Sequence, residues 1–125
     1  MKFLVVDDSL TMRRIIINGL QRIGFNDAVE ASDGKDALDK FDGSIGFIIT
    51  DWNMPNMSGL EFARSVRAHP AGATVPILMV TTRGAREDIV SAVEAGVNNY
   101  ILKPFTPTVL KEKIDRLMAG IGAAA

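Results

Sequence analysis

Five times along this chain a short, mostly apolar run gives way to a stretch with helical periodicity, and that alternation restricts the fold more than any other feature. The runs cover residues 3–6, 28–31, 47–50, 77–80 and 100–102. Each is too short for a helix, and most lack the apolar–polar alternation of a sheet with one wet face, so they read as strands buried on both sides. Parallel neighbours need crossover connections, which the intervening helices supply. The order therefore predicts an α/β domain, a parallel sheet with helices on both faces.

The helices have legible limits. Ser9 can cap the first, with Met12, Ile16, Leu20 and Ile23 along one face and Gly24 as a left-handed stop. Ser32 or Asp33 caps the second, which turns Ala37, Leu38 and Phe41 inward and ends at Asp42-Gly43. Leu60, Ala63 and Val66 mark a third, which must stop before His69-Pro70 because the residue preceding proline avoids the helical region. Residues 85–95 form the fourth, with Ile89, Ala92 and Val93 as its buried stripe and Gly96 closing it. Thr106 followed by Pro107 opens the fifth along Leu110, Ile114, Leu117 and Met118. The domain is expected to span 1–119, leaving 120–125 as a flexible tail without a stripe to bury.

The strand ends carry the chemistry. The first run stops at Asp7-Asp8, the third at Asp51, the fourth at Thr81 and the fifth at Lys103-Pro104. In an open parallel sheet these ends share one edge, which is where such folds bind ligands. Three carboxylates in one cleft repel: two unit charges about 4 Å apart cost roughly 4 kcal/mol at an effective dielectric near 20. Lys103 offsets part of this, and a hard divalent cation with oxygen ligands offsets more; magnesium fits best, because it takes a couple of carboxylates and keeps waters for phosphate oxygens. A carboxylate facing a magnesium ion, a lysine and a hydroxyl is equipment for phosphoryl transfer, with Asp51 as acceptor, since a carboxylate can form an aspartyl-phosphate. Singly, each residue has a plainer reading: Asp7-Asp8 as a helix cap, Thr81 as a strand-end hydroxyl, Lys103 as a solvated loop lysine and Tyr100 as a half-buried aromatic. Their joint placement at matching strand ends is what points to a site.

Composition narrows the alternatives. A net charge of -1 argues against nonspecific nucleic-acid binding, and the absence of cysteine removes disulfides, thiolate metal sites and cysteine nucleophiles. The opening apolar run is too short for a signal peptide and no stretch is long enough to span a bilayer, so a cytoplasmic location without membrane contact is expected.

These residues resemble the receiver domains of two-component response regulators. Asp7-Asp8, Asp51, Thr81 and Lys103-Pro104 fall on the same strand ends as in that family, and the likeness covers essentially the whole chain. The segments 51–57 (Asp-Trp-Asn-Met-Pro-Asn-Met), 78–81 (Leu-Met-Val-Thr) and 100–107 (Tyr-Ile-Leu-Lys-Pro-Phe-Thr-Pro) look closest to its chemotaxis members. The resemblance implies a flavodoxin-like doubly wound (βα)5 sheet in the order 2-1-3-4-5. It implies that Asp51 takes a phosphoryl group from a histidine kinase's phosphohistidine. Asp8 and Asp51 would ligate magnesium directly, Asp7 through water and Asn53 through its backbone carbonyl. Lys103, joined to Pro104 by a cis bond, would pair with phosphoryl oxygens; Thr81 would move to meet one, and Tyr100 would turn inward. The output is then a population shift on the surface of the fourth helix, fifth strand and fifth helix, read by a partner such as the flagellar motor switch protein. The domain would act as a monomer, a signalling phospho-acceptor rather than an enzyme, with slow autodephosphorylation and a phosphatase as a further partner.

One departure from the pattern concerns Arg83. In the best-known chemotaxis regulators an acidic residue stands two places after the switch threonine. That position and the one held by Asn53 flank the path of the attacking water in this family, so the phosphoryl lifetime is left open. Three rival readings fit the residues less well. An aspartyl-phosphate phosphatase wants a second Asp where Asn53 stands. A flavin module wants a Ser/Thr/Gly-rich loop where Asp7-Asp8-Ser9 stands. A phosphorelay receiver keeps the chemistry and changes the pathway. Trp52, next to Asp51, is a natural reporter of metal binding; His69 is expected to be exposed and without a role. Arg83, Arg86, Lys111, Lys113 and Arg116 read as solvated charge, some of it facing partners.

Overall fold

The computed structural model describes residues 1–124 and, of their side chains, those of 1–120. The elements in chain order are β1 (Lys2–Val6), α1 (Leu10–Arg22), β2 (Ala28–Ala31), α2 (Gly34–Lys40), β3 (Ile45–Thr50), α3 (Gly59–Ala68), β4 (Ile77–Thr81), α4 (Arg86–Glu94), β5 (Asn99–Leu102) and α5 (Pro107–Ala124). The strands form one parallel sheet in the order β2-β1-β3-β4-β5, the expected topology.

Alternate side chains of each central strand point to opposite faces, and both faces are dry. Phe3 and Val5 of β1, Phe47 and Ile49 of β3, and Leu78 and Val80 of β4 pack with Ile16 and Leu20 of α1 and Leu110 and Ile114 of α5. Leu4, Val6, Ile48, Ile77 and Met79 pack on the other side with Ala37 of α2, Phe62 and Ala63 of α3 and Ala92 of α4. This two-sided burial is why the strands read as continuous apolar runs. Each fully enclosed Leu, Ile or Phe contributes roughly 1.5–3 kcal/mol relative to exposure.

The caps are where the residues suggested. Ser9 Oγ accepts the Met12 N–H and Gly24 takes φ 98°, closing α1. For α2 the cap is Asp33, whose carboxylate accepts the Asp36 N–H. Thr106 Oγ1 accepts the Val109 N–H at the start of α5. That helix runs to Ala124, through most of the stretch expected to be a tail; residue 125 of that stretch lies outside the described residues.

Two expectations are corrected. On α4 only Ala92 of the expected stripe is buried; Ile89 is 38% and Val93 62% exposed, and Val90 beside them 48%. The helix is turned so that its small residue meets the sheet and its branched apolar residues face outward. Among the described residues no side chain caps its start at Ala85. His69 is half-buried rather than exposed: its ring packs edge-on against Phe41, and its Nδ1 accepts the Ala71 N–H, which holds the turn after α3.

Candidate functional site

Backbone hydrogen bonds extend the parallel ladder just past the strands and bring the candidate site residues into line. The Asp7 N–H donates to the Ala31 carbonyl, the Asp51 N–H to the Val6 carbonyl, and the Lys103 N–H to the Thr81 carbonyl. Asp7, Asp51, Thr81 and Lys103 therefore stand side by side at the carboxyl edge of the sheet. The Lys103–Pro104 bond is cis. Gly59, which opens α3, lies against the Asp51 backbone so closely that a Cβ there would come within 1.8 Å of the Asp51 carbonyl oxygen. Only glycine lets the helix start directly beneath the acid.

Lys103 bridges two of the acids. Its Nζ donates to Asp7 Oδ2 at 2.9 Å and to Asp51 Oδ2 at 3.2 Å. The remaining oxygens of both are also held: Asp7 Oδ1 accepts the Ser9 N–H at 2.9 Å and Asp51 Oδ1 the Trp52 N–H at 2.6 Å. Asp8 is exposed, Asp51 half-buried, and Asp7 only 1% exposed. One oxygen from each of Asp7, Asp8 and Asp51 lies within 4.8 Å of the others.

The charges do not balance. Burial pushes the Asp51 carboxyl above its ordinary range; the Trp52 N–H and Lys103 oppose this, and the neighbouring Asp7 charge adds to it. Burial works against the Lys103 ammonium, but the hydrogen bond to Asp7 and the fields of Asp51 and Asp7 outweigh it and hold the lysine above its usual value. Three carboxylates answered by one ammonium leave an excess of two negative charges when all are ionised. All three acids offer hard oxygen donors, so the set suits a hard divalent cation and not a soft one.

The remaining expected residues surround this core. Thr81 is fully buried and its Oγ1 accepts the Arg83 N–H at 3.3 Å. Arg83 lies across the mouth: its guanidinium sits 4.7 Å above the Trp52 ring, Nε donates to Asn53 Oδ1 at 3.2 Å, and Nη1 pairs with Asp88 at 3.3 Å. Asn53 is thus exposed with its amide oxygen engaged. Tyr100 is half-buried and its hydroxyl donates to the Arg83 carbonyl. Burial, then the Asp88 charge, pushes that phenol up, with Arg83 opposing.

Two supports escaped sequence reasoning. Arg13 Nη1 donates to the Asp7 carbonyl at 2.6 Å, and its Nε pairs with Glu30 at 3.1 Å. Asn56, held at φ 66°, donates to the buried Asp33 carboxylate at 2.7 Å and fastens the loop after β3 to the start of α2. An Asn in a loop of Pro, Met and Ser signals a turn, but nothing local names its partner; Arg13 reads as a solvated helix charge.

Residues 3–115 match the response regulator receiver domain family. The chain belongs to that family. This receiver is 53% identical over 117 residues to chemotaxis protein CheY1 of Helicobacter pylori, covering 92% of this chain and 94% of that one. It is 52% identical over 129 residues to the chemotaxis protein CheY homolog of Campylobacter jejuni, covering 99% of both. Among solved structures it superposes on chemotaxis response regulator CheY4 of Vibrio cholerae with a TM-score of 0.85 at 35% identity, over 93% of this chain and 97% of that one. A CheY-like receiver from Methanospirillum hungatei gives 0.87 at 25% identity, over 99% and 98%. The chain is thus a receiver homologous to CheY chemotaxis regulators, a signalling protein of the two-component type. Among the described residues no helix is long and apolar enough to cross a membrane.

Proposed function

We propose that Asp51 of this receiver accepts a phosphoryl group from the phosphohistidine of a histidine kinase, with magnesium as cofactor. The observation that carries the reading is the lysine bridge: Lys103 Nζ lies within hydrogen-bonding distance of both Asp7 and Asp51, beside the exposed Asp8. Asp8 and Asp51 would hold the ion directly, Asp7 through water and Asn53 through its carbonyl; when bound it supplies positive charge for the phosphoryl oxygens. The half-buried Asp51 carboxylate attacks phosphorus, the phosphorus–nitrogen bond of phosphohistidine breaks, and the imidazole leaves with its electron pair and takes a proton. Lys103 neutralises charge on the equatorial oxygens, exchanging part of its contact with Asp51 for the new group. Thr81, deep in the cleft, turns its hydroxyl from the Arg83 N–H to a phosphoryl oxygen. The phosphoryl group adds about -1.5 to -2 charge. Tyr100, tied to the Arg83 carbonyl, follows that loop inward and alters the surface of α4, β5 and α5. In chemotaxis that surface meets a flagellar motor switch protein, and a phosphatase can shorten the signal; both readings rest on the homology to CheY proteins. Asn53, an amide bonded to Arg83, supplies no acid or base, which argues against a phosphatase.

The test is to add acetyl phosphate with magnesium and measure intact mass. One labile phosphoryl adduct per chain is expected, absent when the metal is chelated. An adduct that forms equally well without metal, or none at all, sinks the proposal.

The raised Asp51 carboxyl also sets a pH dependence. A protonated Asp51 cannot ligate, so magnesium affinity falls by about tenfold per pH unit below its value in the folded protein. Because burial places that value above the ordinary 3.8, the decline begins at a higher pH than a free carboxylate would impose. Trp52 fluorescence titrations from mildly alkaline to mildly acidic pH read it out; affinity that stays flat until the ordinary carboxylate range contradicts it. In the metal-free protein the sign is reversed: ionised Asp51 costs stability at neutral pH, and that cost is relieved as pH falls through its folded value. Lys103 changes stability in the same direction but at high pH, contributing stability below 10.5 that is lost as pH rises through its raised folded value.

A further inference from the structure

We infer that Arg13 is a positioning residue for the acidic cluster, acting on the Asp7 carbonyl from a base provided by Glu30. The inference rests on the magnesium reading above and concerns how the acids are pre-arranged for the ion.

β1 ends at Val6, whose carbonyl accepts the Asp51 N–H. The next carbonyl, that of Asp7, belongs to the peptide that leads into the exposed Asp8. It accepts Arg13 Nη1 at 2.6 Å, a charge-assisted bond at the short end of the usual range. That bond fixes the plane of the Asp7–Asp8 peptide and so the direction in which Asp8 leaves the backbone. Asp8 sits at the solvent edge, whereas Asp7 is locked by the Ser9 N–H and Lys103. The clamp is therefore felt most at Asp8.

The guanidinium is itself fixed. Its side chain is only 14% exposed, and Nε donates to Glu30 Oε1 at 3.1 Å, while Arg14 approaches Glu30 Oε2 at 3.9 Å. Glu30 stands in β2 opposite Val5, and its carbonyl accepts Lys40 Nζ at 2.8 Å. A continuous strut thus runs from α2 through β2 and α1 to the Asp7 carbonyl. It needs two N–H groups aimed in different directions from one rigid plane, which a lysine cannot provide. Groups that orient ligands in this way typically change metal affinity by about 10- to 100-fold when replaced.

The test is magnesium titration of Trp52 fluorescence in the parent, Arg13→Lys, Arg13→Gln and Glu30→Gln, with thermal midpoints measured in the absence of metal. Arg13→Lys keeps the charge and loses the fork, so it separates geometry from electrostatics. We expect both Arg13 variants to weaken magnesium by roughly tenfold or more, and Glu30→Gln, which keeps an acceptor, by less. A merely structural contact would lower the midpoint and leave the dissociation constant of the folded variant unchanged. Parent-like affinity in a folded Arg13→Lys protein overturns the inference, as does loss of folding in all three variants. If Arg13→Gln alone fails to fold, Arg13→Lys and Glu30→Gln decide. A parent protein that ignores magnesium refutes the functional reading, and this inference falls with it.

Discussion

Replacing Asp51 with asparagine is expected to abolish phosphoryl uptake while leaving the metal-free fold at least as stable as the parent. The amide removes the oxygen nucleophile that, alone among the described residues, combines partial burial, a lysine contact and a place in the acid trio. It retains an oxygen to accept the Trp52 N–H, so the turn after β3 survives. What it removes is a carboxylate that burial and the neighbouring Asp7 charge both disfavour. Relief of that repulsion should raise the thermal midpoint by a few degrees without magnesium, and the gain should vanish with magnesium because the variant binds it poorly. Intact mass after acetyl phosphate, and melting curves with and without metal, check both halves. A labile adduct at parental yield would place the acceptor elsewhere. A falling midpoint would mean that the contact with Lys103 outweighs the cost of burial.

Replacing Arg67 with methionine is expected to cost about 3 kcal/mol of stability, a fall of roughly 10 °C in thermal midpoint for a domain of this size. This arginine, in the last turn of α3, is a staple for two loops. Its guanidinium donates to the carbonyls of Gly72 at 2.9 Å, Val75 at 2.7 Å and Gly96 at 2.7 Å and 3.1 Å, and to Asn98 Oδ1 at 2.9 Å. Burial pulls the guanidinium below its usual value, a sign that it is partly withdrawn from water and depends on these acceptors. Gly96 is held at φ 103°, and a Cβ there would lie 2.6 Å from the Arg67 side chain, so the turn before β5 is shaped around this group. Methionine matches the stem and leaves the carbonyls with weaker partners. Lysine should recover less than half, since one ammonium cannot reach acceptors on both loops. Chemical denaturation at neutral pH is the measurement, and a loss below about 1 kcal/mol would show that water satisfies those carbonyls equally well.

The two arginines Arg13 and Arg67 also mark where reading the residues in order falls short. Strands, their sequence order and the acid-bearing ends are local: an apolar run that stops at a carboxylate can be seen without knowing what lies beside it. So are the serine, aspartate and threonine caps, because a cap and its N–H donor are only three residues apart. Arg13 and Arg67 act on carbonyls, and every residue has a carbonyl, so nothing in the chain signals which ones they reach. His69 escaped for the same reason, its partner Phe41 being distant in sequence. The α4 stripe failed differently. Ile89, Ala92 and Val93 do lie near one another on a helix, but periodicity identifies an apolar face without saying how far the helix is rotated toward the sheet. The charge of Arg83 stands out against the family pattern, but its seat on the Trp52 ring depends on two loops facing each other, which no local pattern encodes.

The lightly anchored α4 has a consequence of its own. With Ala92 as its inward residue and no side chain closing its first turn among the described residues, this helix gives up little contact energy if it rolls or slides on the sheet. Any such movement would present the exposed Ile89, Val90 and Val93 differently. This lightly held panel lies next to the loop in which the Tyr100 hydroxyl ends. If the proposed phosphoryl group displaces that loop, α4 is the element that can follow with the least loss of packing.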